Sequence, residues 1–326
     1  MPFVRLKNST NGILFYMSGY IAVDVGGTRM RAAYFPADSQ IPISLKKIPT
    51  QHPTESAWER LVQLVQSVWP DDKSVIRMGI AVPGPTDPYK GIIFEAPNIP
   101  AWKNLPLVYL LQEQFKVPVD LGNDANLAAM GEWKYGAGRG HRNLAYMTVS
   151  TGIGGGVILD DRLLLGERGL ATEFGHITVQ RDGPLCGCGQ RGHLEALAAG
   201  PAIAKWVINE IDKGATSRLS GNIEINTKMV AEAAKSGDEL AVRALERAGT
   251  YIGRALADVL HMFNPSIVII GGGVSQSGNL LMTPMRESME AHVMDAHYLE
   301  NLTLTTAALG DDTGLLGALA LARHQS

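Results

Sequence analysis

Two widely separated segments of the sequence place a glycine-rich turn between two apolar strands, and this limits the folds open to the chain. The first, DVGGTRMRAAYF, is a strand ending in Asp24, a turn through Gly26, Gly27 and Thr28, and a second strand. The other, MTVSTGIGGGVILDDRLLLG, repeats the plan, with Ser150, Thr151, Gly152 and Gly154 to Gly156 in its turn. Neither fits a common phosphate motif. A Walker loop requires Gly-Lys-Ser/Thr opening a helix, and that tripeptide is absent. A dinucleotide fingerprint requires G-x-G-x-x-G between strand and helix, whereas Gly152, Gly154 and Gly156 give G-x-G-x-G between two strands. Two readings remain: ordinary tight turns, or β-hairpins whose bare backbone N–H groups and hydroxyls approach an anion closely. Two matched copies with Ser or Thr at the tip favour the second, and facing hairpins could clamp a triphosphate. A third turn, IVIIGGGVSQSGNLL, leads from a strand through Gly271, Gly272 and Gly273 into a helix.

Around these turns short apolar runs alternate with helical patterns, the signature of an α/β protein. Strands are expected at Tyr20–Val25, Arg31–Phe35, Arg77–Val82, Val117–Leu121, Leu144–Val149, Val157–Leu159 and Ser266–Ile270. The clearest helix runs from about Asp238 to Phe263, where Leu245, Ala248, Ile252, Leu256 and Val259 form one apolar stripe. At 326 residues the chain exceeds the size of a single core, so two compact lobes are expected. A net charge of −3 without a lysine or arginine block argues against a nucleic-acid groove or a membrane-surface patch. Ile13 to Met17 is too short for a signal segment or a membrane span, so a cytoplasmic location is expected. Residues 1–19 read as an N-terminal extension, with Met17 an alternative start just ahead of the first strand.

DVGGT, VSTGIGGGV and the triple glycine at 271–273 resemble the phosphate and adenosine elements of the actin-like ATPase and sugar-kinase superfamily. More narrowly, STGIGGGV, Gly166, EFGH and CGCGQRGHLE resemble the ROK family of bacterial repressors and sugar kinases, and the likeness runs from about Tyr20 to LGDDTGLLGALALA. The resemblance implies a two-lobed actin-like ATPase (ribonuclease H-like) fold with an interlobe cleft. The small lobe would hold residues 20–126 and 311–326, and the large lobe residues 127–310 with a zinc-binding loop. It implies ATP and Mg²⁺ at the hairpins and a homodimer or homotetramer, with polyphosphate an alternative donor. The activity implied is phosphorylation of a hexose 6-hydroxyl, glucose first and N-acetylmannosamine, fructose or mannose as alternatives. A sugar-responsive repressor of the same family would need a helix-turn-helix domain before the body, and about 19 residues are too few for one. A catalytically silent sugar-binding protein would be expected to lose the base or the phosphate turns, and both are present.

The family motif C-x-C-G-x-x-G-C-x-E is matched by Cys186, Cys188, Gly189, Gly192 and Glu195, but His193 stands where the third cysteine is expected. Imidazole also binds zinc, so His176, Cys186, Cys188 and His193 could complete a tetrahedral structural site. Ordinary buried cysteines are the alternative; a disulfide between residues two apart would be strained. The resemblance makes Glu173, His176 and Glu195 hexose ligands, and a carboxylate can accept from two vicinal hydroxyls at once. Without it, two solvated surface glutamates would be the reading. In VPVDLGNDANLAAMGEW a strand meets a helix at Asn123 and Asp124, where Asp or Asn is commonly an N-cap. The resemblance instead makes Asp124 the catalytic base and Asn123 a sugar ligand, with Asp24 a water-mediated Mg²⁺ ligand. It adds Gly84 of VPGPTD and Asn98 of EAPNIPAW as sugar-side contacts.

Overall fold

In the computed structural model, which describes residues 18–72, 74–99 and 101–324, the first hairpin founds a mixed sheet. The expectations for residues 1–17 lie outside the described residues. β1 (Gly19–Val25) and β2 (Arg29–Pro36) are buried at most positions, as in strands covered on both faces, and pair antiparallel. β3 (Ser44–Pro49) adds an antiparallel edge. The helix α1 (Ala57–Gln66), started by a Ser56/Glu59 capping box, crosses over to β4 (Val75–Val82), parallel to β1. A small sheet of β5 (Thr86–Asp87), β6 (Ile92–Glu95) and β7 (Lys103–Leu105) precedes α2 (Leu107–Phe115). β8 (Val119–Asn123) then completes the order β3-β2-β1-β4-β8 and runs straight into α3 (Asp124–Tyr135).

The second half repeats this wiring. β9 (Leu144–Val149), β10 (Ile153–Leu159) and β11 (Arg162–Leu163) form an antiparallel set. After a long connection come α4 (Glu195–Ala198), α5 (Gly200–Asp212), α6 (Thr227–Lys235) and α7 (Glu239–Phe263). β12 (Ile267–Gly271), α8 (Asn279–His292), β13 (Thr303–Thr306) and α9 (Thr313–His324) follow. The order β11-β10-β9-β12-β13 has the same succession of antiparallel and parallel pairs as the first sheet.

Two helices join the sheets. α9 packs on β1 and β4, α3 packs on β10 and β9, and the two helices pack on each other. Their approach needs bare backbone: a Cβ on Gly317 would lie 2.0 Å from the Leu127 carbonyl oxygen. Leu127, Met130, Tyr146, Ile269, Leu315 and Leu319 form the apolar seam between the halves. Among the described residues no helix is long and apolar enough to cross a membrane.

The expected helix at 238–263 forms as α7, with Asp238 as its N-cap and all five stripe residues at 0% exposure. Two strand expectations need correction. The strand expected at Val117–Leu121 is displaced to β8, because Pro118 has no N–H for the ladder and the pairing continues from Met78 opposite Val119 to Val82 opposite Asn123. The strand expected at Val157–Leu159 begins instead at Ile153, so Gly154, Gly155 and Gly156 belong to β10 and not to a turn. Their lack of side chains serves packing. Added Cβ atoms would lie 2.8 Å from Ala125 Cβ, 2.2 Å from the Phe174 ring and 2.5 Å from Ala129 Cβ respectively.

Candidate functional site

β8 delivers two polar residues to the start of α3, and they divide its chemistry. Asn123 is the N-cap: its Oδ1 accepts from the N–H groups of Ala125 (2.9 Å) and Asn126 (3.2 Å). Its amide donates one hydrogen to the Gly84 carbonyl (3.1 Å), at the end of the neighbouring strand β4. Asp124 is thereby freed from the cap; it accepts from the Ala125 N–H (2.8 Å), and the Asn123 side chain also hydrogen-bonds it. Its carboxylate is open to water, yet it sits at the foot of a cleft with protein on most sides. That desolvation pushes its pKa up from 3.8 to about 6, with further repulsion from Asp24 and Glu173.

The cleft is a cavity of about 670 Å³ bordered by Asp24, Arg31, Asp124, Ser150, Gly272 and Gly273. The second and third turns border this space through Ser150 and through Gly272 and Gly273, whereas the first hairpin reaches it through Asp24 and Arg31 of its flanking strands and not through Gly26, Gly27 or Thr28. In the first hairpin the Gly26 N–H donates to Arg29 O (2.8 Å) and the Thr50 hydroxyl to Gly26 O (2.6 Å). Thr28 is exposed at the tip, and Asn98 lies against Gly27, 2.4 Å from where a Cβ would stand. In the second hairpin Ser150 N–H bonds Gly152 O (2.8 Å), and Thr151 is exposed. At the third turn Gly271 passes under Tyr146, Gly272 has φ +84°, and no atom lies within 4 Å of a Cβ on Gly273. Gly273 faces open space.

The long connection after β11 folds back as a ribbon, bridged at Thr178–His193 and Leu185–Arg191. It turns at Gly189 (φ +90°) and Gly192 (φ +73°), where a Cβ would lie 1.6 Å from Gln180 O. The ribbon brings one ligand atom each from His176, Cys186, Cys188 and His193 within 4.8 Å of one another. The Cys188 sulfur is 3.2 Å from His193 Nδ1, and the Cys186 sulfur 3.9 Å from His176 Nδ1. Burial pushes the Cys186 thiol up. Glu173 lies at the foot of the ribbon, where burial raises its pKa, the nearby His176 lowers it and Glu195 raises it. Glu195, expected to face a hexose, accepts the Ile153 N–H through Oε2 (2.9 Å) and so ties the ribbon to the second hairpin.

A family model described as the ROK family matches residues 20–325. The chain belongs to the ROK family. A glucokinase of Thermotoga maritima is 36% identical over 313 residues, covering 94% of this chain and 97% of that protein. A xylose repressor of Bacillus subtilis is 32% identical over 93% of this chain and 73% of the repressor. The crystal structure of a ROK family glucokinase from Streptomyces griseus in complex with glucose and AMPPNP matches with a TM-score of 0.79 at 35% identity, covering 94% of this chain and all of that one. This ROK chain therefore has the two-lobed actin-like ATPase fold, and its paired sheets are the two lobes.

Three residues that build this site, Arg31 in the cleft and Asn126 and Thr172 behind it, escaped the sequence reading. Arg31, directly across the ladder from Asp24, binds that carboxylate through Nε (3.1 Å) and Nη2, and reaches Asp312 at 3.4 Å. Asn126 is 3% exposed and donates to Gly155 O (2.8 Å) and the Thr172 hydroxyl (3.0 Å). Thr172 has φ +67°, a region that β-branched residues avoid, and it aims the chain into Glu173. The alternation of Arg31 with apolar neighbours on β2 was the one local signal for any of them.

Proposed function

We propose that the protein is an ATP-dependent hexose kinase acting on the 6-hydroxyl, with glucose as its substrate. The observation that carries this reading is the Asp124 carboxylate, relieved of capping by Asn123 and opening into a cleft bordered by Asp24 and Arg31 of the first hairpin, Ser150 of the second, and Gly272 and Gly273. The glucokinase relatives and the glucose and AMPPNP complex support the same choice. Asp124 accepts the proton of the attacking hydroxyl, at a pKa close to the working pH of a general base. Gly26, Gly27, Thr28, Ser150, Thr151 and Gly152 hold the phosphates through backbone N–H groups and hydroxyls, and Gly271 to Gly273 border the adenosine. Much of the rate comes from orientation and charge neutralisation, as in other phosphoryl transfers.

The hexose is held between Gly84, Asn98 and Asn123 on one side and Glu173, His176 and Glu195 on the other. Magnesium, when bound, neutralises phosphate charge; Asp24, whose carboxylate repels that of Asp124 across the cleft, would hold it through water. His176, Cys186, Cys188 and His193 fit a structural zinc in ligand type and number. Cysteines without a disulfide suit the reducing cytoplasm. A coupled assay of ADP release with glucose, mannose, fructose and N-acetylmannosamine tests the function. Turnover should be highest with glucose, and sugar binding without any turnover would overturn the reading.

A further inference from the structure

A second cavity, of about 420 Å³, lies between the ribbon at 184–187, α5 and α7; its lining differs from that of the cleft around Asp124, and it meets the proposed catalytic residues only at Thr151 and Glu195. Its volume falls within the ~300–1,000 Å³ of small-molecule sites. Lys205 and Arg247 both line it, and Glu195 is its only carboxylate. Glu195 is already occupied by the Ile153 N–H. Lys205 forms no ion pair among the described residues. Arg247 donates to Leu197 O (3.0 Å), hydrogen-bonds the Tyr251 side chain and lies over the rings of Tyr251 and Trp206; Glu210 acts on it electrostatically, but it forms no ion pair among the described residues. Its burial lowers its pKa, the mark of a partly desolvated cation. The side chains of Asn209 and Trp206 also line the cavity without a hydrogen bond to the described residues, and the rest of the wall is largely alanine, proline and leucine. A chain of net charge −3 thus presents an excess of cationic and neutral donors over one apolar wall.

We propose that this cavity is a second, non-catalytic site for a phosphate monoester of a sugar-sized molecule. A guanidinium, an ammonium, an indole N–H and an amide offer more donors than a carboxylate can accept, and match the oxygens of a phosphate. The apolar wall takes the carbon body of the ligand. Because Thr151 of the second hairpin and Cys186 and Gly187 of the ribbon also line the cavity, an occupant touches both elements that shape the catalytic cleft. Its binding is therefore linked reciprocally to that of hexose and nucleotide.

The test is calorimetric titration of the zinc-loaded full chain with glucose 6-phosphate, inorganic phosphate and glucose, in the presence of saturating glucose and AMPPNP to fill the catalytic cleft. Glucose 6-phosphate should still bind at one site, with inorganic phosphate weaker and further glucose silent. Lys205→Glu, at an exposed position, should weaken that binding at least about tenfold, the loss expected for one charge-assisted contact, while ADP release with hexose stays unchanged. Arg247→Gln should do the same to binding. No heat from glucose 6-phosphate with the cleft filled, or binding unaffected by Lys205→Glu, would overturn the site. Equal affinity for inorganic phosphate would overturn the monoester assignment. Should glucose and AMPPNP themselves fail to bind, the kinase reading falls, and the Lys205→Glu comparison still decides this one.

Discussion

Asn123 and Asp124 are chemically similar neighbours, and only their hydrogen bonds separate a structural task from a chemical one. Asn123 accepts from two first-turn N–H groups, so Asp124→Asn should leave the cap of α3 intact. Turnover should fall by about 10²–10⁴, the usual worth of a general base, with hexose binding retained; near-normal turnover in the folded variant would show that the base lies elsewhere. The raised pKa adds two pH predictions. In the native enzyme kcat/KM for the hexose should fall as the pH drops through about 6, because the base becomes protonated. Stability runs the opposite way. A carboxyl group whose pKa is raised on folding favours the folded state below its ordinary value of 3.8, and that contribution is lost as pH rises through about 6. Asp124→Asn should therefore melt higher than the native protein at pH 8, with the gap closing toward pH 4. Asp124 was legible in the sequence because strand, acid and helix are adjacent there. Arg31, Asn126 and Thr172 were not, since the partners that give Asn126 its role lie 29 and 46 residues away.

The hairpins and the ribbon were recognisable as elements, but the reason for their glycines was only partly so. Gly154 and Gly156 let β10 lie against α3, so Gly156→Val should disrupt folding and abolish both ligand affinities together. Gly154→Val should do likewise. Gly273→Ala is the informative contrast. It meets no neighbour, so the protein should melt normally, while KM for ATP rises about tenfold, the cost of one crowded methyl, and KM for hexose holds. A sequence shows that a glycine is present; only the packed neighbour shows whether the missing Cβ makes room for a helix or for a ligand. The ribbon was more legible, because its four donors span 18 residues, from His176 to His193, and local turns suffice to gather them. Cys186→Ala should lose zinc, measured by elemental analysis, and raise KM for hexose while sparing ATP. His193→Cys should keep both metal and activity. A metal-free protein with unchanged hexose affinity would refute this coupling of metal and sugar sites.

The alternation of strands and helices, and the length of the chain, were enough to anticipate two lobes. They did not reveal that the two sheets share one wiring. Helix α3 follows directly from the first sheet and packs on the second, with α9 beside it, so the pair joins the two sheets beneath the cleft. The turn between β5 and β6 adds a contact to the segment after β11: the Tyr89 hydroxyl donates to Gly166 O (3.1 Å), and Gly169 packs on Pro88. The floor itself depends on Glu132, a carboxylate of 0% exposure near the end of α3. Its Oε2 accepts from Ala137 N–H (2.9 Å) and Ala308 N–H (3.1 Å), and its Oε1 from Leu309 N–H (2.9 Å). Residues 308 and 309 lead from the second sheet into α9, so Glu132 joins α3 to its partner helix across more than 170 residues of sequence. Glu132→Ala would orphan three backbone donors, at about 1–3 kcal/mol each, so urea unfolding should show at least ~3 kcal/mol of lost stability. Glu132→Gln can keep the two bonds made by Oε2 but turns its amide toward the Leu309 N–H, and should fall between the two. Hexose and ATP should stabilise the Ala variant by at least as much as the native protein, because both ligands bridge the lobes that Glu132 no longer fixes. Native stability in Glu132→Ala would show that the paired helices hold the floor by apolar packing alone.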